Sequence, residues 1–183
     1  GRHNVMNALA AATVAMRYGM APETVARILA SQHTISPHRM ALSTVNREGT
    51  SFTLIDDSFN ANPDSMKAGL NGLKAWNSND GKEPFRVALL GAMLELGADE
   101  TALHTSIGTY ADELGIDAII AVGSAQDQHL DALAQALADG ARQSQSASVD
   151  CVHDIDAAEQ LVIDLARNHP DAVVLLKGSH ASG

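Results

Sequence analysis

The sequence predicts an α/β fold: a Rossmann-like, mostly parallel sheet with helices on both faces. Three observations predict it. Short continuous apolar runs at 85–90, 118–122, 149–152 and 172–176 read as strands buried on both faces. Longer stretches with helical spacing separate them, so strand and helix alternate as in βαβ units. Of the 183 residues, 45% are hydrophobic and 19% charged but only 3% aromatic, a globular composition whose core must be aliphatic.

Each element follows from a local signal. Residues 4–18, rich in Ala, Met and Val, read as a helix, with Gly19 where a C-terminal cap falls. Pro22 suits the first turn of a second helix, in which Val25, Ile28 and Leu29 repeat at helical spacing to about residue 31. A connection at 32–37 holds the expected domain boundary: 1–36 as the last helices of a preceding domain, and 37–183 as a domain of its own. Two β-type runs, 40–45 and 51–55, flank Asn46-Arg47-Glu48-Gly49 and predict a hairpin. A helix is expected from Ser65 to residue 76, capped by Asp64 or Ser65, and further helices at 100–114, 125–137 and 155–166. The stretch 140–148, rich in Gln and Ser, reads as an exposed loop. The chain begins Gly1-Arg2-His3-Asn4 and stops just after an apolar run, where another helix is expected. It therefore reads as an excised fragment, truncated before its last helix.

Charge and composition exclude several classes. Twelve Lys and Arg against 22 Asp and Glu give a formal charge of −10, which argues against a general nucleic-acid binder. No run of about 18 apolar residues suits a spanning helix, and no signal peptide opens the chain. A single cysteine, Cys151, excludes an internal disulfide framework and fits a reducing cytosol. Neither G-x-G-x-x-G, a P-loop nor a G-x-S-x-G elbow occurs, and the eight histidines show no metal-ligand spacing.

In open α/β sheets ligands bind at the carboxyl ends of strands, so the loops following residues 55, 90, 122 and 176 carry the search. The first, Asp56-Asp57-Ser58-Phe59-Asn60-Ala61-Asn62-Pro63-Asp64-Ser65-Met66, stacks carboxylates and amides before a helix. It reads either as a capped turn, with Asn60 or Asn62 bonding local backbone, or as a site in which Asp57 takes a sugar hydroxyl or a metal. In the second, Gly91 to Gly97, glycine serves either turn geometry or close approach of a ligand. The third, Lys177-Gly178-Ser179-His180, places a cation and a hydroxyl at a strand end, for a phosphate or carboxylate or simply for solvent. Gly123-Ser124 reads as structural. Asn4 and Asn7 share a helix face, as a pair of amides or as ordinary first-turn residues. Arg39, after Pro37-His38, reads by pattern as a surface cation.

Taken in order, Gly1-Arg2-His3-Asn4-Val5-Met6-Asn7, Pro37-His38-Arg39, the Asp56 to Met66 loop, the Gly91 to Gly97 loop and Lys177-Gly178-Ser179 resemble the Mur ligases. The D-S-F-N-A-N-P-D-S-M loop, the G-x-M-x-E-L-G-like loop and K-G-S resemble the branch that adds D-alanyl-D-alanine to UDP-N-acetylmuramoyl-tripeptide. The resemblance implies a monomeric cytoplasmic enzyme of peptidoglycan synthesis, of which this chain is the C-terminal domain plus the last helices of the central ATPase domain. It implies ATP and Mg2+, with the P-loop and the metal ligands in the missing central domain, and an acyl-phosphate intermediate. By position, Asn7 and Asn4 match the family's adenine-side H-N-x-x-N motif, Arg39 the arginine near the ATP phosphates, and Asp57 the aspartate on the ribose hydroxyls. Asn60, Asn62, Lys177 and Ser179 correspond to the acceptor side. Ala92 stands where this branch usually has Asp, and His180 where Arg is usual. A sister Mur ligase, a folylpolyglutamate synthase-like ligase and a non-catalytic α/β ligand-binding module remain alternatives, and the fragment alone is expected to be inactive.

Overall fold

The computed structural model describes residues 2–31, 38–77, 81–144 and 147–179. The chain divides into two compact units, Gly1–Pro37 and His38–Gly183. The connection at 32–37, where the domain boundary was expected, lies outside the described residues.

The first unit is a helix pair, α1 (Arg2–Arg17) and α2 (Pro22–Ala30). Gly19 ends α1 at φ +90, its N–H donating to the Met16 carbonyl while the Met20 N–H reaches the Ala15 carbonyl. That pair of bonds satisfies the last open carbonyls of the helix and demands a left-handed residue, which glycine supplies at little cost. Pro22 then occupies the first turn of α2, where its missing N–H has no helical partner to lose.

The second unit is a six-stranded sheet with helices on both faces. It starts with the antiparallel hairpin β1 (Ala41–Arg47) and β2 (Thr50–Asp56). The turn is two residues, Glu48 at φ +47 and Gly49 at φ +79, not the four expected, because Arg47 already pairs with Thr50. Left-handed backbone at both positions matches the twist of the flanking strands. The chain continues through α3 (Pro63–Lys74), β3 (Arg86–Leu90), α4 (Glu100–Glu113), β4 (Ala118–Val122), α5 (Gln128–Ala141), β5 (Ser148–Val152), α6 (Ile155–Asn168) and β6 (Val173–Lys177). The strand order is β1-β2-β6-β3-β4-β5, and every neighbouring pair except β1 with β2 is parallel.

One core layer lies under α3, α4 and α5, with Met66, Leu70, Ile107 and Leu137 packed on Ile55, Leu90 and Ile119. The other lies under α6, with Ala158, Val162 and Ala166 on Val87, Ile120 and Val174. Successive strand residues feed opposite faces, which is why the strands read as unbroken apolar runs. Helices α4 and α5 approach at Gly108 and Gly140. A Cβ on Gly108 would lie 1.9 Å from the Leu137 carbonyl oxygen, and one on Gly140 2.1 Å from that of Thr105. Residues 140–141, expected in an exposed loop, are thus buried in α5. The glycine that reads as a loop signal is there to let two helices touch. The same helix starts three residues later than expected, because the Asp127 side chain accepts the N–H groups of His129 and Leu130 and caps it.

Candidate functional site

Strands β2, β6 and β3 are neighbours running in the same direction, so the loops that follow them leave the sheet side by side. These are three of the loops singled out in the sequence. The parallel ladder runs into the first of them, with the Asp57 N–H donating to the Leu176 carbonyl at 2.9 Å. At its far end the Asn62 side chain accepts the Ser65 N–H at 2.8 Å, and the Ser65 hydroxyl accepts the Asn62 N–H at 3.0 Å. The helix cap expected at Asp64 or Ser65 is therefore Asn62. Pro63, with its fixed φ, starts the helix and moves the cap to the residue before it. Asn60 is exposed, and its side-chain oxygen accepts the Ala61 N–H at 2.8 Å.

The same loop clamps the segment that opens the second unit. His38 and Met40 both carry left-handed backbone, at φ +58 and +51, a strained state unless neighbours enforce it. They are enforced here. His38 Nδ1 lies 2.7 Å from Asp56 Oδ2, the Phe59 N–H donates to the His38 carbonyl at 3.0 Å, and the Met40 N–H donates to Asp57 Oδ1 at 3.2 Å. Burial alone would raise the Asp56 carboxyl, but hydrogen bonds from Ser58 and His38 outweigh it and hold the group below its ordinary value. Between the two strained residues, exposed Arg39 lays its guanidinium over the Phe59 ring, 4.1 Å from the centroid. Stacking leaves the in-plane N–H groups of a guanidinium able to meet oxygen ligands.

Asp57 is fixed on both oxygens. Oδ1 holds the Met40 N–H, and Oδ2 accepts from Lys177 Nζ at 2.6 Å. The Lys177 side chain is 1% exposed and that of Asp57 17%. Lys177, expected among the acceptor contacts, turns its ammonium to Asp57 instead, and also toward the Asn60 carbonyl at 3.2 Å and the Asp57 carbonyl at 3.4 Å.

The loops after β6 and β3 are tied by backbone. The Gly91 N–H donates to the Lys177 carbonyl at 2.8 Å and the Ser179 N–H to the Ala92 carbonyl at 3.0 Å. Gly178 faces Gly91 so closely that a Cβ would lie 3.1 Å from the Gly91 Cα. The β3 loop is further pinned by a residue that sequence reasoning did not single out. His104, fully buried on α4, accepts the Met93 N–H on Nε2 at 2.9 Å, with Nδ1 2.7 Å from the Glu100 carbonyl. An Nε2 that accepts and an Nδ1 that donates define a neutral ring, and burial lowers its pKa. The screen for metal-ligand spacing passes over a lone histidine in the second turn of the next helix, so this role left no sequence signal.

Asn4 and Asn7 both lie on α1 of the first unit, where Asn7 is exposed. Gly123 is structural: a Cβ there would lie 2.5 Å from Asp131 Oδ1. Among the described residues no group of three or more His, Cys, Asp and Glu is arranged to hold a metal ion, and no helix is long and apolar enough to cross a membrane. A hollow of about 240 Å³ lined by Thr44, Phe52, Trp76 and Pro170 opens at the amino end of β6, away from the three loops.

The chain is 39% identical over 189 residues to the UDP-N-acetylmuramoyl-tripeptide--D-alanyl-D-alanine ligase of Mycobacterium tuberculosis (strain CDC 1551 / Oshkosh), which covers all of this chain and 36% of the relative. It is 34% identical over 123 residues to the Escherichia coli (strain K12) ligase of the same name, covering 67% of this chain and 25% of the relative. Its fold is similar to crystal structure II of MurF from Acinetobacter baumannii, with a TM-score of 0.77 at 28% identity over 100% of this chain and 36% of that one. The chain thus spans about a third of the length of the mycobacterial relative. Residues 38–180 match the family described as Mur ligase, glutamate ligase domain. With that match over most of its length, and relatives of one name along all of it, the chain belongs to the Mur ligase family.

Proposed function

We propose that this chain is the C-terminal part of an ATP-dependent amide ligase that joins D-alanyl-D-alanine to UDP-N-acetylmuramoyl-tripeptide in cytoplasmic peptidoglycan synthesis, acting as a monomer. The observation that carries the reading is the single loop after β2. It holds a carboxylate, Asp57, on two donors and clamps the segment bearing a stacked, exposed guanidinium, Arg39, at the carboxyl end of the strand. A fixed carboxylate suits the vicinal hydroxyls of a ribose and a guanidinium suits phosphate oxygens. The 39% identity to a UDP-N-acetylmuramoyl-tripeptide--D-alanyl-D-alanine ligase along the whole chain supports the same assignment.

In the proposed reaction the terminal carboxylate of the tripeptide attacks the γ-phosphorus of ATP. The bond to ADP breaks, and an acyl phosphate forms. The amine of the dipeptide then attacks the acyl carbon, phosphate leaves, and the amine proton is lost to give the amide. Such a sequence needs charge stabilisation at the transferring phosphoryl group, a positioned amine and exclusion of water from the acyl phosphate. Arg39 would offset phosphate charge and Asp57 would orient the nucleotide. Asn60, Asn62 and Ser179, with the loop from Gly91 to Leu96, are proposed for the acceptor side, Asn62 through what its cap leaves available. Asn4 and Asn7 are assigned to the adenine side on their motif alone. Magnesium would accompany the ATP phosphates, and no residue of this chain is assigned as its ligand.

The test is phosphate release by the full-length parent protein with ATP, magnesium and UDP-N-acetylmuramoyl-tripeptide. Dependence on D-alanyl-D-alanine supports the proposal. Turnover only with single amino acids moves the protein to a sister ligase, and none with any acceptor leaves a ligand-binding module.

A further inference from the structure

We propose that Lys177 is a positioning residue for Asp57 and not an acceptor contact: its buried ammonium holds the nucleotide-side carboxylate in place. The assignment rests on the ligase reading above. An ammonium has three N–H donors, and Lys177 has three oxygens around it: Asp57 Oδ2 at 2.6 Å, the Asn60 carbonyl at 3.2 Å and the Asp57 carbonyl at 3.4 Å. No donor is left for a substrate, and at 1% exposure none faces solvent.

Nor does the side chain have room to swing out. Its stem runs over Gly69 of α3, where even a Cβ would sit 2.9 Å from Lys177 Cδ and 3.4 Å from Leu175 Cδ2. Three elements thus meet on this one residue: α3 supplies the slot, β6 the lysine, and the β2 loop the carboxylate. Without the ammonium, Asp57 keeps only the Met40 N–H at 3.2 Å, and a carboxylate held by one donor is free to rotate away from a diol. Removing one partner of a buried pair also leaves the other charge uncompensated, which favours rearrangement of the loop. The backbone of Lys177 meanwhile carries the loop after β3 through the Gly91 N–H. Its side chain therefore serves the nucleotide and its main chain the neighbouring loop.

The experiment uses the full-length parent enzyme with Lys177→Met, varying ATP at saturating dipeptide and dipeptide at saturating ATP. The expected result is a KM for ATP raised about tenfold or more with the KM for the dipeptide within about twofold. ADP binding, which needs no acceptor, should weaken by a similar factor. In an Asp57→Asn background Lys177→Met should change ADP affinity little, since the two act as one unit. Gly69→Ala, which alters no charge but crowds the stem, serves if Lys177→Met does not fold, and it should move the KM for ATP in the same direction. A raised dipeptide KM with ATP unchanged would overturn the assignment, as would lost thermal stability with both KM values intact or full additivity with Asp57→Asn. A wild-type enzyme that turns over without the dipeptide overturns the ligase branch instead. The ADP measurement still judges Lys177 in that case.

Discussion

Replacing His104 with leucine tests how the loop after β3 is held. The substitution fills a similar volume but removes the acceptor of the buried Met93 N–H, now 2.9 Å from Nε2. An orphaned buried donor costs about 1–3 kcal/mol, which for a chain of this size lowers the melting temperature by roughly 2–12 °C. The pH dependence is more diagnostic than the loss itself. The folded-state pKa of His104 lies below its ordinary 6.5, chiefly through burial, while Glu100 on the same helix opposes the shift and His129 on α5 adds to it. Between the lowered value and 6.5 the unfolded chain binds the extra proton, so stability is full above about pH 6.5 and falls as pH drops below it. For one histidine the slope is at most about 1.4 kcal/mol per pH unit. Leucine has no such term, and the two proteins share every other histidine. Urea unfolding of wild type and variant at several values from pH 7.5 to 5 should show the stability gap narrowing on acidification. A gap that stays constant or widens would refute a neutral, accepting His104.

Other substitutions test other parts of the fold. Gly140→Ala gains intrinsic helix propensity but drives a Cβ to 2.1 Å from the Thr105 carbonyl, so it should cost about 1–3 kcal/mol or more; a urea midpoint at or above wild type would contradict the close α4–α5 contact. Asn62→Ala removes the cap of α3 and the partner of Ser65 and should cost about 1 kcal/mol, whereas Asn62→Asp should retain most of the stability in the same titration. Burial, with Asp131 adding to it, raises the Cys151 thiol, so iodoacetamide at pH 8 should alkylate the native chain more slowly than the urea-unfolded one. Equal rates would count against that environment.

How much was legible in the sequence depends on the range of the signal. The strand runs, the helix ends at Gly19 and Pro22 and the hairpin all express preferences of neighbouring residues, and all appear in the structure. Boundaries slipped where a side chain chose between close alternatives, as at Asn62 instead of Asp64 or Ser65 and at Asp127 three residues into the expected helix. Gly140 misled because a glycine needed for helix contact looks like one needed for a turn. The candidate site divided in the same way. Asp57 and Arg39 were selected by loop position and motif. Their joint placement follows from the β1–β2 hairpin, whose register pairs Ala41 with Asp56, whereas Lys177 reaches Asp57 only because β6 inserts between β2 and β3, a pairing separated by more than a hundred residues.

The sequence by itself therefore determined the fold class, because unbroken apolar strands alternating with amphipathic helices have few other ways to bury their surfaces. It also singled out the three loops that the sheet places side by side, because polar groups at strand ends are local facts. Only the tertiary structure decided what Lys177 and His104 do. A lysine becomes a buried counter-ion when a carboxylate 120 residues earlier meets it, and a histidine becomes a neutral acceptor when the Met93 N–H of the preceding loop is buried against it. Those partners are brought together by packing, and desolvation then makes each bond costly to break.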